Sequence, residues 1–276
     1  MPETGAKGIV YCHTHTKYSH DSVCEPTDSL HSAKEKGLAG FAVTDHCDIE
    51  FCKENDVKTP IIDSIAVAEK LGACALSGVE MGEALWHCDV ANDIIASADC
   101  DIVLGSVHAV RCGEYTMPFS QIDFSLFSEK QISEYMSTYF NDMLEMLDKC
   151  DFDVLTHLTN PLKYITGKYG IKVDLNAFPE IIDEILKGII SKGIALEVNT
   201  ACLGSRYNEL MPERAIIERY KKLGGYLVTL GSDAHTADRI AHGFGETAAL
   251  LKEIGFERLC YFKKRKPVQY VLGDFL

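Results

Sequence analysis

His13-Thr14-His15 places two imidazoles on one side of an extended segment, because residues two apart in a strand share a face. That arrangement suits joint ligation of one divalent ion. Alone, a His-x-His pair means little. Here Asp21 follows in Tyr18-Ser19-His20-Asp21-Ser22. The chain then passes in order through Thr44-Asp45-His46, Gly78-Val79-Glu80, Gly105-Ser106-Val107-His108, Thr156-His157 and Gly231-Ser232-Asp233-Ala234-His235. A single residue of this kind is ordinarily a hydrogen-bonded core histidine or a helix-capping acid. Six imidazoles and three carboxylates on one rim are another matter: without cations they would destabilise the fold, and two or three divalent ions would make each a ligand.

Each of these groups closes or follows a short apolar run. The runs cover residues 9–13, 41–46, 75–80, 102–108, 154–157, 194–199 and 226–235. They are too short for helices and are bounded by turn residues, so they read as buried parallel strands whose C-terminal ends share one rim. Segments of helical period lie between them. One opens at Glu25-Pro26-Thr27 and stops at Gly37; Ser128 begins another with Ile132, Tyr135, Met136, Tyr139, Met143, Met146 and Leu147 on one stripe; further ones span 178–190 and 215–223, the last ending at Gly224-Gly225. Strand and helix in alternation imply right-handed parallel crossovers, hence an α/β barrel, and seven strands instead of eight imply an irregular one. Residues 81–101, with Trp86, and 111–127 break the rhythm and read as rim loops that contact substrate. The basic tail from Phe262 to Pro267 reads as an element end solvated by lysine.

A chain of 276 residues with 46% hydrophobic content is read as one domain, 1–276. Its formal charge of −14 argues against nucleic acid as a partner. Eleven cysteines without a CxxC pair, no apolar leader after Met1 and no run of membrane-spanning length point to a reduced, cytoplasmic protein. Cys12, Cys74 and Cys100 read as small buried hydrophobes. His31 and His87 read as surface or packing residues, and His242 is divided between helix-end packing and the rim.

The ligand set implies hydrolysis of a phosphomonoester. Clustered divalent ions activate a bridging water, hold a phosphate oxygen and stabilise charge on the attacking and leaving oxygens. Mixed His and carboxylate ligands suit Zn, Fe or Mn and suit Mg poorly. Phosphate also calls for cations, and Lys163, Arg206 and Arg111 are placed for the rim. Asp45 is a candidate to orient His46.

The series His-x-His-Thr-x-Tyr-Ser, Thr-Asp-His, Gly-x-Glu, Ser-x-His, Thr-His and Gly-Ser-Asp-Ala-His resembles the polymerase and histidinol phosphatase (PHP) superfamily over nearly the whole chain. Within it, Leu196-Glu197-Val198-Asn199-Thr200-Ala201, Gly231–Thr236 and the stretches 251–256 and 262–267 are similar to monofunctional histidinol-phosphate phosphatases. The resemblance implies a distorted (β/α)7 barrel and three divalent ions. His13, His15, Glu80 and Asp233 would hold the first, Asp21, His46 and His235 the second, and Glu80, His108 and His157 the third, with Glu80 bridging. Where that subfamily commonly has His, this chain has His20-Asp21, and spacing selects Asp21. Catalysis is expected to depend on Glu80, Asp233 and His235. The implied substrate is histidinol phosphate, an intermediate late in histidine biosynthesis, whose ammonium and imidazole would face acids among Asp48, Glu50 and Glu83. A nucleotide, a nucleic-acid end or a sugar phosphate is the alternative substrate, and a metal-storing or accessory module without chemistry is the non-enzymatic one.

Overall fold

Along Ala75–Gly82 (β4), Leu76, Gly78, Glu80 and Gly82 share one face, and Ala75, Val79 and Met81 share the other. In the computed structural model, which describes residues 8–50 and 58–273, this alternation separates two cores. Leu76 packs inside a barrel with Val10, Cys12, Ala42, Ile102, Leu104, Val154 and Ala195, while Val79 and Met81 join the larger apolar layer under the helices. A strand whose lower residues turn Leu76 inward must turn Glu80 inward as well.

The other barrel strands are β1 (Val10–Tyr11), β2 (Gly40–Val43), β3 (His46–Asp48), β5 (Ile102–Ser106), β6 (Val154–Leu155), β7 (Ala195–Asn199) and β8 (Val228–Gly231). They run parallel in the order β2-β1-β8-β7-β6-β5-β4-β3, and a β2–β4 pairing closes the ring. Phe41 of β2 pairs with Ala75 low on β4, and His46 of β3 pairs with Glu80 higher up. β2 and β3 therefore share one position, and the barrel has seven: the distorted (β/α)7 architecture expected from the seven runs.

Eight helices surround it among the described residues: α1 (Pro26–Glu35), α2 (Lys58–Lys70), α3 (Cys88–Ser97), α4 (Glu129–Lys149), α5 (Pro161–Ile165), α6 (Pro179–Lys192), α7 (Arg214–Lys222) and α8 (Phe244–Ile254). Ser128 and Gln131 form a reciprocal capping box at the start of α4, and the expected apolar stripe of that helix is buried throughout. The 111–127 segment is a chain of short 3-10 turns. Phe119 and Phe124 fasten it edge-to-face against Tyr135 of α4, so Pro118–Gln121 sit over the rim as a fixed wall.

The basic tail is a strand end with exposed lysines, as expected. It forms a hairpin of β9 (Arg258–Lys263) and β10 (Lys266–Val271), with Lys264 and Arg265 at positive φ in a two-residue turn. Cys260 and Phe262 join the barrel's inner core. The cations pair with acids: Lys263 meets Asp101 at 2.7 Å, and Arg265 meets Asp151 and the buried Asp153. These pairings are not legible in the sequence, because the acids stand more than a hundred residues away. Arg265→Ala is expected to lower unfolding stability by about 1–3 kcal/mol, since it leaves Asp153 buried without its cation. Denaturant unfolding checks this, and an unchanged midpoint would show the hairpin to be held by packing alone.

Cys12 and Cys100 are buried as expected, whereas Cys74 is exposed. Among the described residues no helix is long and apolar enough to cross a membrane.

Candidate metal centre

The nine residues gather at the C-terminal mouth of the barrel, and Glu80 stands at their middle. Its two carboxylate oxygens lie 3.3 Å from His13 Nε2, 3.4 Å from His15 Nε2, 2.8 Å from His46 Nδ1, 3.3 Å from His108 Nε2 and 2.9 Å from His157 Nε2. Asp233 approaches His15 Nε2 at 3.0 Å and His235 Nδ1 at 3.6 Å. The inner members His13, His15, Glu80 and His157 are buried; His46, His108, Asp233 and His235 are half-buried, and Asp21 is exposed. The Asp21 carboxylate lies 3.1 Å from His235 Nε2 and 3.7 Å from His46 Nε2, while the His20 ring stands 5.4 Å from that of His46. Both His20 and Asp21 line the cavity.

Backbone and neighbours aim these groups. Asp233 has φ +49°, a left-handed conformation that is costly for a residue with a side chain and concentrates at functional sites. Gly82 is required beneath Asp48, because a methyl group there would come within 2.0 Å of its Oδ1. Asp48 accepts from His108 Nδ1 at 2.9 Å, and Glu197 accepts from His13 Nδ1 at 2.6 Å. Ser19 Oγ donates to Asp45 at 2.8 Å, so it receives the Nδ1 proton of His15 at 3.1 Å. Asp45 therefore acts on His15 through Ser19. It does not touch the His46 ring; its other donors are Thr16 and Ser64.

These bonds fix tautomers and make a test of metal fitness possible. With Nδ1 protonated on both His13 and His15, the two Nε2 atoms stand 3.1 Å apart, a contact made favourable by a proton on His13 Nε2 or by a cation held between them. His46 Nδ1, Glu80 Oε2 and Asp233 Oδ1 are buried without a hydrogen bond, although opposite groups stand within 3.0 Å. They point past one another at shared space. Electrostatics agree: burial and the neighbouring imidazoles of His46 and His235 push His15 down to about 3. Burial also opposes charge on His13 and His46, but Glu197 and Glu80 for the first and Glu80 and Asp48 for the second outweigh it, with His46 reaching about 9. Glu80 and Asp233 are held well below the carboxylate range, where His13 and other imidazoles outweigh burial. Five overlapping three-residue groups have ligand atoms within 4.8 Å of one another, and they draw on His13, His15, His46, Asp48, Glu80, His108, His157, Asp233 and His235. Donors of this kind, number and spacing fit divalent ions.

A cavity of about 410 Å³ opens over the cluster, walled by Pro118–Gln121, Asn160 and Tyr164. Of the three cations expected at the rim, only Lys163 lines it. Burial opposes its charge, but Asp233 leads the groups that raise its pKa, and it makes no ion pair among the described residues. Arg206 instead bonds the Lys168 carbonyl at 3.0 Å, and Arg111 stacks on Trp86 at 4.9 Å. Both sit on exposed loop stretches, where nearness in sequence to a strand end does not aim a side chain. Glu50 is paired with His87, and Glu83 is buried beneath the His108 and Ala109 amides. Only Asp48 of that acidic trio borders the cavity. His31 is exposed beside Glu35, and His242 bonds the Leu203 carbonyl. Sequence reasoning assigned no role to Glu197, Ser19, Ser106 or Thr156. Glu197 was detectable, because it shares the inward register of Ala195 on β7.

A parallel barrel with such a mouth defines a metallohydrolase-type site. Residues 12–201 match the PHP domain family, and the chain belongs to it. The histidinol-phosphatase of Lactococcus lactis is 29% identical over 269 residues, covering 92% of this chain and 94% of that protein. A probable histidinol-phosphatase of Thermotoga maritima is 27% identical, with 93% and 97% covered. A probable phosphatase of Shewanella loihica is also 27% identical, with 91% and 87% covered. The crystal structure of the Lactococcus lactis histidinol phosphate phosphatase, complexed with zinc, L-histidinol and phosphate, superposes with a TM-score of 0.79 at 26% identity, over 94% of this chain and 98% of that one.

Proposed function

We propose that this protein is a metal-dependent phosphomonoesterase that hydrolyses L-histidinol phosphate to L-histidinol and phosphate, as one catalytic domain working in the cytoplasm. The observation that carries the reading is the convergence of five imidazoles on Glu80 beneath a cavity with one lysine, in a chain whose relatives are histidinol-phosphatases. His13, His15, Glu80 and Asp233 would hold one divalent ion, His46 and His235 with Asp21 a second, and Glu80, His108 and His157 a third, with Zn, Fe or Mn matching the donors. When bound, such ions polarise a phosphoryl oxygen and make water a nucleophile at neutral pH. The protein's part is positional. Asp48, Glu197 and the Ser19–Asp45 pair keep the Nδ1 protons of three imidazoles away from the centre. Lys163 offers an ammonium to the phosphate, and Phe119, Pro118 and Tyr164 restrict water at the mouth.

A phosphate-release screen of the purified, metal-analysed protein across amino-alcohol, sugar and nucleotide phosphates tests this reading. The expected outcome is a much higher kcat/KM for histidinol phosphate than for a neutral alkyl phosphate. A nucleotide preference would overturn the substrate and leave the phosphomonoesterase. Lys163→Ala should lower kcat/KM by about 10- to 100-fold with metal content retained, the scale of one charge-assisted hydrogen bond. Arg206→Ala and Arg111→Ala should change it little. The reverse order in steady-state kinetics would move the phosphate contact to the arginines.

A further inference from the structure

Glu197 belongs to none of the ligand groups, yet it is buried at the edge of the cluster and its carboxylate is hydrogen-bonded by three nitrogen donors. Its Oε1 accepts a hydrogen bond from His13 Nδ1 at 2.6 Å. Its Oε2 accepts the His157 backbone N–H at 2.9 Å and Asn199 Nδ2 at 3.1 Å. The Asn199 amide cannot reverse without loss, because its Oδ1 accepts the Ala201 N–H at 2.9 Å. Space is also reserved: a methyl group on Gly231 would stand 2.2 Å from Glu197 Oε1 and 2.6 Å from the His13 Cβ. His157, tied to the same carboxylate, has φ +21°.

We infer that Glu197 is a positioning residue of the metal centre, fixing His13 as an Nε2 ligand and holding the backbone of His157, so that one carboxylate on β7 sets two ligands at the ends of β1 and β6. The inference rests on the metal-dependent reading of the site and is independent of the substrate. It requires an acceptor at both ends of the side chain. Glutamine has the same shape and only one acceptor. If its carbonyl serves His157, its amide donates to His13 Nδ1 and drives the imidazole proton to Nε2, the atom that faces Glu80 and His15. If its carbonyl serves His13, its amide meets the His157 N–H and the Asn199 amide, donor against donor. Either way a ligand is misplaced by a change that removes no bulk.

The test compares wild type with Glu197→Gln as metal-free proteins titrated with Zn²⁺ against a chromophoric chelator, with circular dichroism reporting the fold. The expected result is a folded variant whose affinity for at least one Zn²⁺ is about 10- to 100-fold weaker. A merely structural role would lower thermal stability and leave the zinc affinity of the folded fraction unchanged, and that result overturns the inference. A second measurement needs no variant: in the zinc-loaded wild type, long-range ¹H–¹⁵N correlation of the His13 ring should place its proton on Nδ1. A proton on Nε2 overturns the inference even if Glu197→Gln fails to fold. A wild type that takes up no zinc overturns the metal reading and this inference with it, which separates that failure from a zinc-binding wild type matched by its variant.

Discussion

Glu80→Ala should lower kcat/KM by more than about a thousandfold and strip metal from the centre, the largest effect expected of any single substitution here. No other side chain stands within 3.4 Å of five imidazole nitrogens among the described residues. On the proposed reading, removing its carboxylate would take away the charge that balances the ions and the group that spaces them. Ser106 Oγ donates to Glu80 Oε1 at 2.6 Å, so the alanine variant also leaves that buried hydroxyl with Thr156 as its remaining partner. Glu80→Gln separates the two causes, since it keeps the bulk and loses the charge. Kinetics and metal analysis on folded protein check both variants, with His31→Ala as the exposed control. Full metal content with near-normal turnover in Glu80→Gln would remove Glu80 from its bridging place.

Exhaustive chelation should abolish turnover and lower the melting temperature, and added Zn²⁺ or Mn²⁺ should restore both. Ions that bind the folded chain and not the unfolded one stabilise it by about 4 kcal/mol when free metal exceeds the dissociation constant a thousandfold. The sign follows from the cluster itself. Without cations, one buried oxygen each of Glu80 and Asp233 and the Nδ1 of His46 lack hydrogen bonds, so the metal-free fold leaves polar groups at the mouth unsatisfied. Differential scanning fluorimetry with and without chelator measures the shift, and phosphate release measures turnover. Full activity at less than one equivalent of bound metal would end the metal-dependent reading.

Chemistry and barrel were legible for the same reason. A strand alternates its faces with a period of two, so a run such as Leu76-Ser77-Gly78-Val79-Glu80 states both that it is buried and which way its last carboxylate points. Metal ligands come from a few residue types, and the recurrence of His, Asp and Glu at strand ends needs no tertiary information to be noticed. The stripe of α4 and its Ser128 cap were equally local. Residues without a periodic frame were not. Arg206 and Arg111 follow strand ends closely in sequence, yet one lies on the Lys168 carbonyl and the other on the Trp86 ring, because loop torsions decide direction. The basic tail pairs with Asp101 and Asp153, each more than a hundred residues away in the chain. Asp45 looked like the partner of His46, its neighbour in sequence, and instead acts on His15 through Ser19. The sequence by itself determined which side chains could bind metal and the barrel end that would carry them, since both depend on residue type and local period. The tertiary structure alone decided which nitrogen of each imidazole faces the centre, which acid holds it there and which lysine overlooks it, because hydrogen bonds between strands exist only once the barrel has closed.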